Sequence, residues 1–160
     1  TENVPAIAGL GIASRLALEN AARNAEHIST LRDKLETGIL QTVSGTIVNG
    51  DPSNRISNTT NISFDRVEAE SLLIALDLEG VAVSTGSACS SGTLEPSHVL
   101  RAMGFGAHRT QNSIRFSLGS DNTSEEIDRV IDLLPKLVRK LRGVSRPSIS
   151  PKQQTTPVGK

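Results

Sequence analysis

The 160-residue chain balances 17 Lys and Arg against 17 Asp and Glu, and its only aromatic residues are three Phe. With no basic run and no Trp or Tyr to stack on bases, nucleic-acid recognition is excluded from the leading functions, and no apolar stretch has the length of a membrane span. One Cys forms no internal disulfide and no Cys-rich metal site alone, so no metal is expected and a reducing cytoplasmic setting is the simplest one.

An apolar fraction of 36% supports one domain, or a sizeable piece of one. The chain opens Thr1-Glu2-Asn3-Val4-Pro5 with no Met, which reads as something cut from a longer polypeptide. From Pro5 to about Gln41, Ala21, Ala25, Ile28, Leu31, Leu35 and Ile39 recur at three- and four-residue spacing, predicting a long helix with a buried stripe. Gly38 and Gly45 bracket its end. Thr46-Ile47-Val48 predicts a short strand closing in the turn Asn49-Gly50-Asp51-Pro52, and Asn61-Ile62-Ser63-Phe64 alternates as a half-buried strand.

Glu68 to Leu78 predicts a compact helix with Leu72, Leu73 and Leu76 inward and Gly80 as its stop. Val81-Ala82-Val83 predicts a strand running straight into a cysteine loop. Pro96 to Met103 predicts a short helix, with Pro in its first turn and Gly104 ending it. Ser113 to Leu118 alternates strictly, setting Ile114, Phe116 and Leu118 on one face against Ser113, Arg115 and Ser117 on the other. Thr123-Ser124-Glu125-Glu126 is a capping box opening the last helix. Ile127, Val130, Ile131, Leu134, Leu137, Val138 and Leu141 give that helix its buried face, and Pro135 should kink it. The expected class is α+β: a sheet of three or four strands packed by long first and last helices. Residues 1–143 form the expected domain, and the Ser-, Pro- and Gln-rich segment 144–160 an expected disordered tail.

Cys89 stands in Ser84-Thr85-Gly86-Ser87-Ala88-Cys89-Ser90-Ser91-Gly92, among small and hydroxylated residues that offer no packing. That setting suits a solvent-reachable thiol rather than a core one, although nothing local lowers its pKa. Arg115 lies opposite the apolar face of its strand between two small serines, where its fork could clamp a carboxylate or make an ordinary surface salt bridge. His98 could assist the thiol but also fits a capping position, and His27 and His108 read as solvated. The loop serines read as hydrogen-bond donors, with no Ser-His-acid order evident.

The run from Val81 through Cys89, Ser90-Ser91-Gly92-Thr93-Leu94-Glu95-Pro96 and Ser97-His98 to Gly104 resembles the active-cysteine region of cysteine desulfurases. These are pyridoxal-phosphate enzymes of the class V aminotransferase superfamily. Ser113-Ile114-Arg115-Phe116-Ser117-Leu118-Gly119, followed by Asn122-Thr123 and Glu125-Glu126-Ile127-Asp128, resembles the family's next hallmark, and Thr1-Glu2-Asn3-Val4-Pro5 the entry to its inter-domain helix. The likeness runs from Thr1 to about Gly143. It implies the small C-terminal domain of a fold-type I enzyme that converts L-cysteine to L-alanine and serves iron–sulfur cluster assembly.

By that resemblance Cys89 attacks the substrate sulfur and becomes a persulfide, Arg115 holds the substrate carboxylate, and pyridoxal 5'-phosphate supplies the electron sink. Gly86 and Gly92 would act as hinges that let the loop reach the cofactor and then an iron–sulfur scaffold or other sulfur acceptor. Thr1 would contact the cofactor phosphate across a homodimer. The family's cofactor lysine has no counterpart: Lys34, Lys136 and Lys140 sit in helical settings without its neighbours. The chain alone should therefore lack turnover. A persulfide carrier or inactive remnant, a selenocysteine lyase and a cysteine-sulfinate desulfinase are the alternative readings.

Overall fold

The computed structural model describes residues 1–86 and 97–144. Helix α1 runs from Val4 to Thr42, started by the Asn3 side chain, which accepts from the Ala6 N–H at 3.2 Å. Strands β1 (Thr46–Asn49) and β2 (Thr59–Phe64) follow, then helix α2 (Ala69–Asp77). Two single-turn helices, α3 (His98–Ala102) and α4 (Ala107–Gln111), lead into strand β3 (Ser113–Ser117), and helix α5 (Ser124–Val144) closes the order. The strands form one antiparallel sheet in the order β1-β2-β3, so the α+β expectation holds with three strands.

The core lies on one face of the sheet. Ile62 and Phe64 of β2 and Ile114 and Phe116 of β3 are buried against Leu31, Leu35 and Ile39 of α1, Leu72 and Leu76 of α2, and Ile127, Leu134 and Val138 of α5. Burying each such side chain fully is worth roughly 1.5–3 kcal/mol, so these few positions account for most of the cohesion between sheet and helices. Leu73 is only partly buried. The capping box forms as its spacing requires: Thr123 Oγ1 accepts from the Glu126 N–H at 3.3 Å, and Glu126 Oε2 accepts from the Thr123 N–H at 3.1 Å. Helix α5 continues through Pro135 to Val144.

Four expectations change. The α1 stripe is buried only at its C-terminal end: Ile28 is half-buried, and Ala21 and Ala25 are exposed. Val4, Ile7, Leu10, Ile12, Leu16 and Leu18 are exposed as well, because the core packed on α1 begins only near Ile28. Periodicity marks the face a helix can bury, not what lies against it. Gly38 does not end α1. A Cβ there would clash with Ile131, 2.8 Å from Cγ1 and 3.1 Å from Cγ2, so the glycine lets α1 and α5 approach closely. Gly45, by contrast, takes φ 71°, a left-handed turn after the helix.

Val81-Ala82-Val83 forms no strand. The extended chain meets the sheet only at its end, in the single bridge Ser84↔Arg115. Helix α4 was not expected, since five residues are too few for a periodic signal. The short helix begins at His98 with Ser97 as N-cap; Pro96 and the segment 145–160 lie outside the described residues.

Candidate active site

Opposite its core face the sheet carries a polar row. Asn49 of β1 pairs with Asn61 of β2, Asn61 with Arg115 of β3, and Arg115 with Ser84. Directly opposed residues of antiparallel strands project on the same side, so four polar side chains stand in line across the sheet. The row is legible in β3, where Ile114 and Phe116 are buried and Arg115 between them is exposed.

Arg115 is joined to Ser84 in three ways. The Arg115 N–H donates to the Ser84 carbonyl at 2.7 Å, the Ser84 N–H donates back to the Arg115 carbonyl at 3.1 Å, and Arg115 Nη2 donates to Ser84 Oγ at 3.3 Å. A rigid strand thus holds a guanidinium whose remaining N–H groups face solvent, a geometry suited to a carboxylate or another planar anion.

Two residues beyond Ser84 the chain reaches Gly86, and after segment 87–96 it resumes at Ser97. A Cβ on Gly86 would lie 2.5 Å from Ser97 Cβ, 3.1 Å from its Cα and 3.3 Å from its N. The two ends of the cysteine-bearing segment therefore touch. Gly86 is absent from the positive-φ glycines, so this close approach is the reason it must lack a side chain. The hinge reading of Gly86 gives way to that steric one; Gly92, like Cys89 itself, lies outside the described residues. Ser97 is buried and caps α3, its Oγ accepting from the Leu100 N–H at 3.4 Å.

The remaining predicted residues are not gathered here. Thr1 is exposed just before the N-terminus of α1, which runs about 40 Å from Val4 to Leu31, the first core residue. His98 and His108 are exposed, and His27 is exposed with Nε2 3.3 Å from the Asn122 carbonyl. An open polar cleft of about 530 Å³, lined by Asn20, Arg23, Asn24, His27, Ser120 and Asp121, contains none of the predicted catalytic, substrate or cofactor residues. Ser84, Asn49 and Asn61 were missed because cross-strand register is not written in any one strand. Only the alternation around Ile62 hinted that Asn61 faces away from the core.

Beside the sheet, Arg55 and Thr60 bind Glu36, with Arg55 Nη1 at 2.6 Å and Nη2 at 3.1 Å from the two carboxylate oxygens and Thr60 Oγ1 donating at 2.5 Å. Burial pushes the Glu36 carboxyl up, but the Arg55 and Thr60 hydrogen bonds and the nearby guanidinium charges outweigh it and hold the pKa below 4.5. This cluster fastens α1 to β2 and the preceding loop, and it takes no part in the polar row.

The chain belongs to the aminotransferase class-V family, whose pattern matches residues 1–130. It is similar to the cysteine desulfurase NifS of Azotobacter vinelandii, 49% identical over 91% of this chain and 36% of that protein. It is likewise similar to the cysteine desulfurase IscS of Methanosarcina thermophila, 45% identical over 98% of this chain and 38% of the relative. The solved NifS-like protein from Rickettsia africae superposes with a TM-score of 0.74 at 34% identity, covering 87% of this chain and 36% of that one. The chain thus spans little more than a third of the length of these relatives.

The family implies pyridoxal phosphate. Among the described residues no lysine fits its anchor: Lys34 Nζ lies 2.6 Å from Asp128 and donates to Ser124 Oγ at 2.6 Å, tying α1 to α5. Lys136 and Lys140 are exposed on α5. No helix among the described residues is long and apolar enough to cross a membrane.

Proposed function

We propose that this chain is the part of a cysteine desulfurase that binds the substrate carboxylate and carries the sulfur-accepting thiol. The observation that carries the reading is the paired bond between Arg115 and Ser84, at 2.7 and 3.1 Å, two residues before the Gly86–Ser97 pinch where the cysteine segment departs. An anion-binding group and the root of a thiol-bearing segment are thereby held on one strand edge. In the reaction the substrate's carbon–sulfur bond breaks and a sulfur–sulfur bond forms on Cys89. The Cβ takes a proton to give L-alanine, so L-cysteine and a thiol become L-alanine and a persulfide with no outside oxidant. Pyridoxal phosphate would supply the electron sink for breaking that bond.

Arg115 binds the substrate carboxylate, Cys89 accepts the sulfur, and Thr1 contacts the cofactor phosphate within a homodimer. The persulfide then passes to an acceptor protein, with iron–sulfur cluster assembly as the proposed outlet and the cytoplasm as the proposed setting. The test is alanine and persulfide formation from L-cysteine. The chain alone, with added pyridoxal phosphate and a reductant, should give neither. The complete enzyme should give both and lose both on Cys89→Ala. Turnover by the chain alone would refute the account of its lysines, and turnover by the Cys89→Ala enzyme would refute the role of the thiol.

The engaged amine of Lys34 also suits a second reading, a carrier that accepts sulfur without making it. Persulfide on Cys89 that forms only beside a separate donor enzyme, with no alanine from a complete enzyme, favours the carrier. Rates on selenocysteine and cysteine sulfinate separate the lyase and desulfinase readings, because only desulfuration strictly needs the thiol.

A further inference from the structure

The polar row has a direction that its hydrogen bonds force. Arg109 is only a donor, and its Nε lies 2.6 Å from one atom of the Asn49 carboxamide, which must therefore be Oδ1. The other Asn49 atom is then the amino nitrogen, donating to Asn61 at 2.6 Å and to Ser113 Oγ at 2.9 Å. Asn61 must answer with its own Oδ1. Its NH2 is consequently turned away from Asn49 and finds no acceptor among the described residues.

The upstream end of this relay is fixed. Arg109 stacks over the Phe105 ring with its guanidinium carbon 4.0 Å from the centroid, and its Nη2 donates to the Val48 carbonyl at 3.0 Å. Ser113 Oγ donates to the Arg109 carbonyl at 2.6 Å, closing the network, and Asn49 and Ser113 are both buried. Burial at one end and exposure at the other leave Asn61 and Arg115 side by side, one neutral and one cationic donor.

We propose that Asn61 is a second donor to the carboxylate that Arg115 binds, with Asn49 and Arg109 as positioning residues that turn its NH2 toward the anion. The inference rests on the Arg115 reading given above. Its chemistry is simple: a carboxylate has about four lone-pair sites, and a guanidinium edge uses two of them. A flanking carboxamide fixes the rotation of the substrate about the guanidinium, which an isolated Arg on a solvent-facing strand does not.

The test uses the complete enzyme and two ligands that differ in the group at issue, 3-mercaptopropionate with a carboxylate and cysteamine without one. Calorimetry measures their Kd, and steady-state assay measures KM and kcat for L-cysteine. Asn61→Ala should raise KM and the 3-mercaptopropionate Kd by roughly ten- to a hundredfold, the range of a hydrogen bond to a charged group. The cysteamine Kd should stay unchanged. Asn61→Asp keeps the acceptor that Asn49 needs while placing a negative charge beside the substrate, so it should fold and should bind 3-mercaptopropionate more weakly still. Asn49→Asp, which replaces the donor to Asn61 by an acceptor, should raise the same Kd while sparing cysteamine. If Arg115→Ala weakens 3-mercaptopropionate and neither Asn61 variant does, the role of Asn61 is refuted and the Arg115 reading stands. Equal losses for both ligands would mean that Asn61 acts only through folding, which also refutes it. If Arg115→Ala leaves the carboxylate ligand untouched, the Arg115 reading itself fails and this inference with it.

Discussion

Gly86→Ala is the sharpest perturbation the structure offers, because the new methyl meets the Cβ and backbone of Ser97 rather than a flexible side-chain tip. Its contacts with Ser97 at 2.5, 3.1 and 3.3 Å fall well inside the 3.5–4.0 Å separation of carbon atoms in packed interiors. Ser97 has little room to give. It is buried, it caps α3, and its carbonyl accepts from the Arg101 N–H at 3.0 Å. Overpacking of this kind costs about 1–3 kcal/mol, while Gly→Ala gains about 0.4–1 kcal/mol by restricting the unfolded chain. The balance is a loss of about 1–2 kcal/mol, or a few degrees in Tm for a chain of this size. Denaturant melts followed by circular dichroism measure it. Ser97→Gly removes the closest contact and costs only a few tenths of a kcal/mol as a cap, so it should rescue much of the loss in the double variant. A Gly86→Ala chain as stable as the parent, or a double variant whose losses simply add, would refute the pinch. In the complete enzyme the same variant should slow persulfide formation on Cys89, three residues further on.

Other packing, charge and capping contacts give further expected outcomes. Gly38→Ala should destabilise by about 1–2 kcal/mol despite the better helix propensity of Ala, because three Ile131 side-chain atoms obstruct the methyl, and Ile131→Ala should relieve it in a melting-curve double-mutant cycle. Because the folded pKa of Glu36 is depressed, its contribution to stability is present above the free-carboxyl value of 4.5 and is lost as pH falls through the folded pKa. Glu36→Gln should therefore be less stable than the parent at neutral pH and converge with it in acid, as urea midpoints against pH would show. Thr123→Ala should cost about 1 kcal/mol, read from the melting of α5, since it removes the acceptor for the Glu126 N–H.

The parts of this fold that were legible in sequence are those set by local chemistry. The Thr123–Glu126 box, the alternation from Ser113 to Leu118 and the left-handed Gly80 that stops α2 each need only their own neighbours. The Val81–Val83 run misled because three apolar residues describe an extended chain equally well with or without a partner strand, and here the pairing begins only at Ser84. Gly38 misled because the residue that requires it, Ile131, lies on another helix.

Sequence by itself determined where α1, α2 and α5 start, which faces are apolar, and that Cys89 and Arg115 are the residues to ask about. Tertiary structure decided what stands beside them. The register that lines up Asn49, Asn61, Arg115 and Ser84, and the contact between Gly86 and Ser97, join residues ten to fifty-odd positions apart. Such neighbours are chosen by which faces of separate elements must bury apolar surface together, a condition that no single stretch of chain records.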